Sequence, residues 1–264
     1  MGRLCGGFEY MNRLILGDCL EVMKDLEAGS IDMVLTDPPY GTTACVWDSV
    51  INLNEMWEQL KRLIKKNGAI VLTSQQPFTT KLINSNMEMF KYNWIWQKKN
   101  AANFLSAKFQ PLRVTEDVLV FSYGGVNNGS KNPMCYYPVG ARKISKNNKN
   151  NKGVGGDTMG HNSSLKEGKK YIQTQTNYPK NIIKVGSDSD KIHPTQKPVG
   201  LMRYLIETYT KKGEVVLDFT MGSGTTGVAC KMLDRDFIGI EIDETYFNIA
   251  KKRIESHIIQ ERLL

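Results

Sequence analysis

The chain has 264 residues, of which 41% are hydrophobic and 23% are charged, so it is long enough to bury a full core and is composed like a folded, soluble protein. This composition excludes a disordered chain or a coiled coil over most of the sequence. The formal net charge of +8 favours a polyanionic partner, although charge alone does not separate nucleic-acid binding from simple solubility.

Cysteine spacing and hydropathy narrow the cellular context. The five cysteines include no CxxC pair and no zinc-type spacing with histidine, which favours a reduced cytoplasm and no metal site. No apolar run approaches the roughly 20 residues of a membrane helix, and the amino terminus lacks the pattern of a secretory signal. We therefore expect a cytoplasmic protein without a membrane partner.

Strands alternate with helices along the first half of the chain. Apolar runs predict the strands 12–16, 31–36, 69–73, 92–97 and 117–123. Helical periodicity predicts the helices 20–26, 53–66 and 77–84, the second closed by Asn67-Gly68 as a carboxyl cap. This alternation is typical of a mostly parallel sheet, and it places Asp18 and Asp37 at the carboxyl ends of strands.

The second half contains an irregular stretch and then a further regular unit. Residues 124–191 are rich in Asn, Lys, Gly and Ser without helical periodicity, which predicts an insertion. Patterning returns in the helix 199–209, the strand 215–219, the helix 225–233, the strand 237–242 and the helix 244–261. The sequence therefore predicts one α/β domain in two halves, residues 12–123 and 192–264, separated by residues 124–191.

The tetrapeptide Asp37-Pro38-Pro39-Tyr40 is the sharpest chemical signal in the chain. An exocyclic base amine is a poor nucleophile because its lone pair is delocalised into the ring. Asp37 and the Pro38 carbonyl could both accept hydrogen bonds from such an amine, while the two prolines stiffen the loop and remove competing amide donors. Tyr40 could stack on a base rotated out of the duplex. The alternative is a plain Asp-Pro turn after a strand.

A glycine loop links the strand 215–219 to the next helix. Gly222-Ser223-Gly224 would let a cofactor approach the backbone closely. Glu241 ends the following strand, where a carboxylate can accept hydrogen bonds from both hydroxyls of a ribose. The order of strand, loop, helix, strand and acid predicts nucleoside binding rather than an accidental glycine turn. GSG in place of GxGxxG argues against a dinucleotide.

These motifs in this order resemble the β permutation group of amino-methyltransferases, bacterial and phage DNA methyltransferases in which the catalytic motif precedes the cofactor motif. The resemblance extends from Asn12 to Arg262, and His-Pro-Thr-Gln-Lys-Pro at 193–198 matches the family segment before the cofactor strand. It implies a Rossmann-like S-adenosylmethionine-dependent methyltransferase fold. The insertion at 124–191 would then be the target-recognition region.

The resemblance also implies which residues bind S-adenosylmethionine. Glu241 would hold the ribose, Asp18 would lie by the adenine, and Thr195 and Lys197 would lie near the methionine carboxylate. The remaining cofactor candidates, around the methionine part and the reacting centre, are Asp37, Asp218, Phe219, Gly222, Ser223, Gly224 and Thr225. Relatives often carry Asp-Pro-Phe where this chain has Asp218-Phe219-Thr220, so the resemblance does not define the role of Phe219.

The implied activity is site-specific methylation of adenine N6 in double-stranded DNA, by base flipping and direct in-line attack on the sulfonium methyl group without a metal. The catalytic residues would be Asp37, Pro38, Pro39 and Tyr40. Cytosine N4 is the main alternative, although such relatives more often begin the motif with serine. An RNA or protein acceptor, or a non-catalytic nucleic-acid-binding protein, are further alternatives. Homodimerisation, a cognate restriction endonuclease and the recognised sequence stay open.

Several other residues have a structural and a functional interpretation. We expect His193 to be structural, because a sulfonium donor needs no strong general base, and Trp94 and Trp96 to lie in the core. The Lys- and Asn-rich segment 143–152 could bind phosphates or simply be solvated. The same two interpretations apply to Arg113 and Lys98-Lys99.

Overall fold

The computed structural model describes residues 12–41, 50–150, 171–186 and 196–262. The strands are β1 (Arg13–Leu16), β2 (Ile31–Thr36), β3 (Ile64–Ser74), β4 (Phe90–Ala102), β5 (Arg113–Phe121), β6 (Arg142–Asn150), β7 (Tyr171–Thr176), β8 (Ile182–Lys184), β9 (Val215–Asp218) and β10 (Asp236–Glu241). The helices are α1 (Cys19–Lys24), α2 (Leu53–Leu63), α3 (Phe78–Ser85), α4 (Val199–Tyr209), α5 (Thr225–Met232) and α6 (Glu244–Arg262), with a 3-10 turn at Phe104–Ser106.

Eight strands form one sheet in the order β1-β10-β9-β2-β3-β5-β4-β8. Neighbouring strands run parallel except where β5 lies antiparallel to both β3 and β4. The predicted α/β fold with a mostly parallel sheet is confirmed. Because β2 pairs with β9, through Met33 beside Val216, strands from both halves of the chain end at the same edge.

The core lies on both faces of this sheet. Along β2, Met33 and Leu35 belong to one buried cluster and Val34 to the other, as expected when successive side chains point to opposite faces. Trp94 and Trp96 are buried on β4 in the first cluster, which confirms that they are core residues. In the part of the chain that the structure describes, no helix has the length and apolar character that crossing a membrane requires.

The predicted boundary between the second helix and the third strand is wrong. The helix ends at Leu63 and β3 begins at Ile64, which pairs with Ile31 of β2. Strand pairing, a long-range effect, overrides the local helical pattern here. Gly68 is therefore inside the strand rather than a helix cap, and an added Cβ would lie 2.6 Å from the Asp32 carbonyl oxygen. The glycine permits close approach of the two strands.

Contacts divide the chain into a large unit, Met1–Tyr137 with Asn181–Leu264, and a small unit, Pro138–Lys180. In the small unit β6 and β7 pair antiparallel. The small unit is narrower than the insertion predicted at 124–191. Met134 packs in the core of the large unit, and β8 pairs with β4 there, so chain on both sides of 138–180 is structurally part of the main domain.

Candidate active site

Asp37 follows β2 directly, and its carboxylate is held on both oxygens. Oδ1 accepts hydrogen bonds from the Tyr40 hydroxyl at 2.6 Å and from the Thr73 hydroxyl. Oδ2 accepts from Lys197 Nζ at 2.7 Å. The Asp37 backbone carbonyl accepts from the Thr220 hydroxyl at 3.2 Å. Three side chains from separate places in the sequence thus fix the carboxylate at the edge of the sheet, and a fourth holds the backbone of the same residue.

Tyr40 points into the protein in this arrangement. Its ring stacks on Phe78, with centroids 5.4 Å apart, and its hydroxyl lies between Asp37 and Thr73. Burial raises the pKa of Tyr40 well above its usual value, and the charge of Asp37 adds to the effect. The side chain therefore acts as a neutral donor to Asp37. Stacking on a flipped base stays a prediction. Pro38 is buried and Pro39 is half-buried.

Lys197 is the cation of a buried charge cluster. Its Nζ lies 3.3 Å from Glu116 Oε2 as well as 2.7 Å from Asp37. Burial lowers the pKa of Lys197, but the charges of Asp37 and Glu116 outweigh that effect and raise it above its usual value. Glu116, on β5, also pairs with Lys98 on the neighbouring β4. Lys98 is thus engaged in this cluster, whereas Lys99 and Arg113 are exposed.

Asp218 ends β9 beside β2 and is surrounded by neutral donors. Oδ2 accepts from the Thr226 hydroxyl at 2.6 Å, and Oδ1 accepts from the Thr220 backbone N–H at 3.2 Å and from the Thr36 hydroxyl. Burial raises the pKa of Asp218 to about 6. The bond from Thr36 ties the end of β2, directly before Asp37, to the strand end from which the glycine loop begins.

The glycine loop is shaped by two left-handed residues and anchored by α6. Gly222 and Gly224 have φ values of 51° and 78°, which glycine adopts without strain. A Cβ on Gly224 would lie 2.9 Å from the Ala250 Cβ. Arg253 Nη1 donates to the Ser223 carbonyl at 3.0 Å and to the Thr225 hydroxyl at 3.0 Å. The loop is therefore held in this shape by contacts with α6.

Two acids lie at neighbouring strand ends beside this loop. Glu241 ends β10 and accepts from the Gly222 backbone N–H at 2.8 Å. Leu16, at the end of β1, pairs with Glu241, and Asp18 follows two residues later as the N-cap of α1. Phe219 is buried in the core, and Thr195 and His193 lie outside the described residues. A glycine cradle flanked by two strand-end acids fits a cofactor that combines a nucleoside and an amino acid.

Sequence reasoning missed the residues that support the motifs. Thr73 reaches Asp37 from β3, which pairs with β2, and Glu116 reaches Lys197 from β5, which lies on the other side of β3. Arg253 lies 30 residues from Ser223 on the last helix. A local motif contains no signal for such contacts, since they depend on strand order and helix packing.

The sheet, the glycine loop and the strand-end acids define an S-adenosylmethionine-dependent methyltransferase. Residues 31–252 match the DNA methylase family N6_N4_Mtase, and the chain belongs to this family. It is 27% identical to the type II methyltransferase M.HpaI of Haemophilus parainfluenzae, over 92% of this chain and 74% of the relative. It is 29% identical to the type II methyltransferase M2.DpnII of Streptococcus pneumoniae, over 93% of this chain and 91% of the relative.

Solved structures show the same architecture. The crystal structure of the M1.HpyAVI–SAM complex is 27% identical, with a TM-score of 0.61 and coverage of 92% of this chain and 100% of that chain. The cytosine-N4-specific PvuII DNA methyltransferase has a TM-score of 0.65 at 14% identity, over 94% of this chain and 90% of that chain. The second similarity concerns the fold alone. The protein is a DNA methyltransferase, and its cofactor is S-adenosylmethionine.

Proposed function

We propose that this protein methylates adenine N6 at a specific site in double-stranded DNA and that Asp37 is the acceptor for the target amine. The observation that carries the proposal is the Asp37 carboxylate, held at the carboxyl end of β2 by Tyr40, Thr73 and Lys197. An aspartate that begins this motif, in place of serine, supports adenine over cytosine N4.

Counting acceptor positions supports this role. An ionised carboxylate offers about four lone-pair sites, and the three protein donors to Asp37 occupy three of them. One remains for an N–H of a base. The side chain of Asp37 is 27% exposed, so a base that has left the duplex can reach it. The carboxylate is thus fixed in advance, with capacity for one further hydrogen bond.

Because the Asp37 carboxylate is already in position, no free energy is spent on reorienting it when the base amine binds. When Asp37 accepts from the base amine, electron density shifts toward the nitrogen, and its lone pair becomes more available. Bound S-adenosylmethionine supplies an electrophilic methyl group. The loop at 222–224, Glu241 and Asp18 are the residues that we expect to hold it, with Arg253 keeping the loop in shape. Tyr40 donates to Asp37 and is our candidate for contact with the flipped base.

The type II names of the relatives support a role in restriction and modification. A cognate endonuclease would then be the partner that makes methylation of host DNA necessary. Such an enzyme would act in the cytoplasm, where the host DNA is. We keep cytosine N4 as the second acceptor, because the family name covers both amines.

The test is methyl transfer to unmethylated genomic DNA from isotopically labelled S-adenosylmethionine, followed by nucleoside mass spectrometry. We expect labelled N6-methyladenine from the wild type and none above background from Asp37→Ala. Asp25→Ala, an exposed acid at the end of α1, is the matched control and should behave as wild type. Labelled N4-methylcytosine would identify cytosine N4 as the acceptor instead of adenine N6. Absence of label in the DNA, despite measured binding of S-adenosylmethionine, would refute the proposal.

A further inference from the structure

The loop between β4 and β5, residues 103–112, exposes large apolar side chains. Phe104 is 66% exposed, Phe109 is 88% exposed and Leu105 is fully exposed. Burying apolar surface is the main favourable term in folding, so three such side chains exposed within six residues of chain are costly to keep. Clusters of this kind commonly mark an interaction site.

This loop is ordered by its own hydrogen bonds. Asn103 adopts a left-handed conformation, with φ of 60°, and its side chain joins the two ends of the loop. Its Nδ2 donates to the Pro111 carbonyl at 3.3 Å, and its Oδ1 accepts from the Arg113 backbone N–H at 2.8 Å. Within the loop, the Phe109 N–H donates to the Ser106 carbonyl at 2.9 Å. The apolar side chains are therefore presented on a defined backbone.

Strand directions place the loop at the edge of the sheet that carries Asp37. β4 is antiparallel to β5, β5 is antiparallel to β3, and β3 is parallel to β2, so β4 and β2 end at the same edge. The loop begins where β4 ends. Glu116, near the start of β5, touches Lys197, which holds Asp37. The loop thus lies at the same edge of the sheet as the candidate base site, and Glu116 of the adjoining strand contacts that site.

The charge around the loop fits a nucleic acid. Lys99, Lys108 and Arg113 are exposed, and the sequence from 98 to 115 contains no acidic residue. Exposed lysine and arginine side chains bind the phosphates of a nucleic acid. Apolar side chains can insert between neighbouring bases and partly unstack them. A second copy of this chain would bring like charges together at the same place.

We propose that residues 103–112 enter the target duplex beside the flipped base, with Phe104, Leu105 and Phe109 against unstacked base faces and the three exposed cations on phosphates. The inference rests on the base flipping in the proposed function. Filling the gap left by the target base would stabilise the extrahelical state. The partner is therefore duplex DNA, which the loop would contact through its exposed apolar side chains and through the exposed cations near them.

A binding experiment tests this contact without requiring catalysis. Leu105→Trp places a reporter at the most exposed position, and its emission is measured as the difference from wild type upon addition of unmethylated genomic DNA. We expect quenching by stacking and protection from acrylamide. Val126→Trp, at a position 55% exposed, is the matched control and should change little. An unchanged Leu105→Trp signal on DNA that demonstrably binds would overturn the proposal, whatever the methylation assay shows.

A kinetic experiment tests the consequence for flipping. Once sequencing locates the methylated base, a duplex carrying it is compared with the same duplex in which that base faces an abasic position. The triple variant Phe104→Ser/Leu105→Ser/Phe109→Ser should lose roughly tenfold or more in kcat/KM on the paired duplex and much less on the other. Equal losses of kcat/KM on the two duplexes would indicate that the loop does not act in base flipping. A wild-type dimer that the triple variant converts to a monomer would indicate that the loop contacts a second copy of the chain.

Discussion

Asp37 and Asp218 end neighbouring strands, yet their surroundings differ sharply. Asp37 is partly exposed and has a cationic partner, Lys197. Asp218 is buried among hydroxyl and backbone donors, and burial raises its pKa to about 6. Partial exposure and a counter-charge suit a carboxylate to receive a substrate, whereas Asp218, buried and held by three neutral donors, connects β9 to β2 and α5. Neighbouring strand ends thus give two aspartates different electrostatic surroundings.

The largest effect on stability is expected from removing the cation of the Asp37 cluster. Lys197→Met leaves Asp37 without a cation and Glu116 with Lys98 alone, and the free energy of unfolding should fall toward the lower end of about 3–5 kcal/mol, because Asp37 is partly exposed. Urea denaturation measures the change. Lys197→Arg should retain most of the stability, and adding Asp37→Asn to Lys197→Met should recover part of it, because Asp37 is the carboxylate left without a cation. No recovery in the double variant would contradict the electrostatic account.

The second expected effect is a pH dependence from Asp218. Because its pKa is higher in the folded state, the folded protein holds the proton more tightly, and its contribution to stability is present at low pH and declines as the pH rises from about 4 through 6. Asp218→Asn lacks this titration. Between pH 4 and 7 the wild type should therefore lose about 2–3 kcal/mol relative to the variant. Parallel stability curves for the two proteins would show that Asp218 does not titrate in this way.

A smaller effect is expected from loosening the glycine loop. Arg253→Ala removes the bonds from α6 to Ser223 and Thr225, so the affinity for S-adenosylmethionine should fall by roughly fivefold, the equivalent of one modest hydrogen bond. Lys252→Ala, its exposed neighbour on the same helix, is the control. Isothermal titration calorimetry gives both values, and equal affinities would argue that the loop needs no support from α6.

The sequence was informative wherever function is local. Asp37 and the glycine loop were predicted at strand ends because apolar runs and turn residues mark where strands stop. The supports of these motifs were not predictable in the same way. The place of Lys197 near the cofactor's carboxylate stays a prediction, and its ion pairs with Asp37 and Glu116 were not foreseen. That arrangement depends on the position of β5 in the sheet, which periodicity does not encode.

The predicted boundaries of elements differ from the observed ones for the same reason. The helical pattern of α2 continues past Leu63, but pairing between Ile31 and Ile64 starts the strand there. The composition of 124–191 is irregular throughout, yet Met134 and Ile183 contribute to the main core. Local composition does not reveal which irregular segments find partners on a distant strand.

The most direct test of the central claim is single-turnover methyl transfer by Asp37→Asn at saturating S-adenosylmethionine and DNA. The variant keeps the shape of the side chain but loses the charge, so the rate should fall by about 10²- to 10³-fold. Cofactor affinity and the binding of genomic DNA should stay within about twofold of wild type, since Asp37 would act on the amine rather than on either ligand as a whole. A rate close to wild type, or a loss explained entirely by weaker binding, would contradict the claim that Asp37 activates the target base.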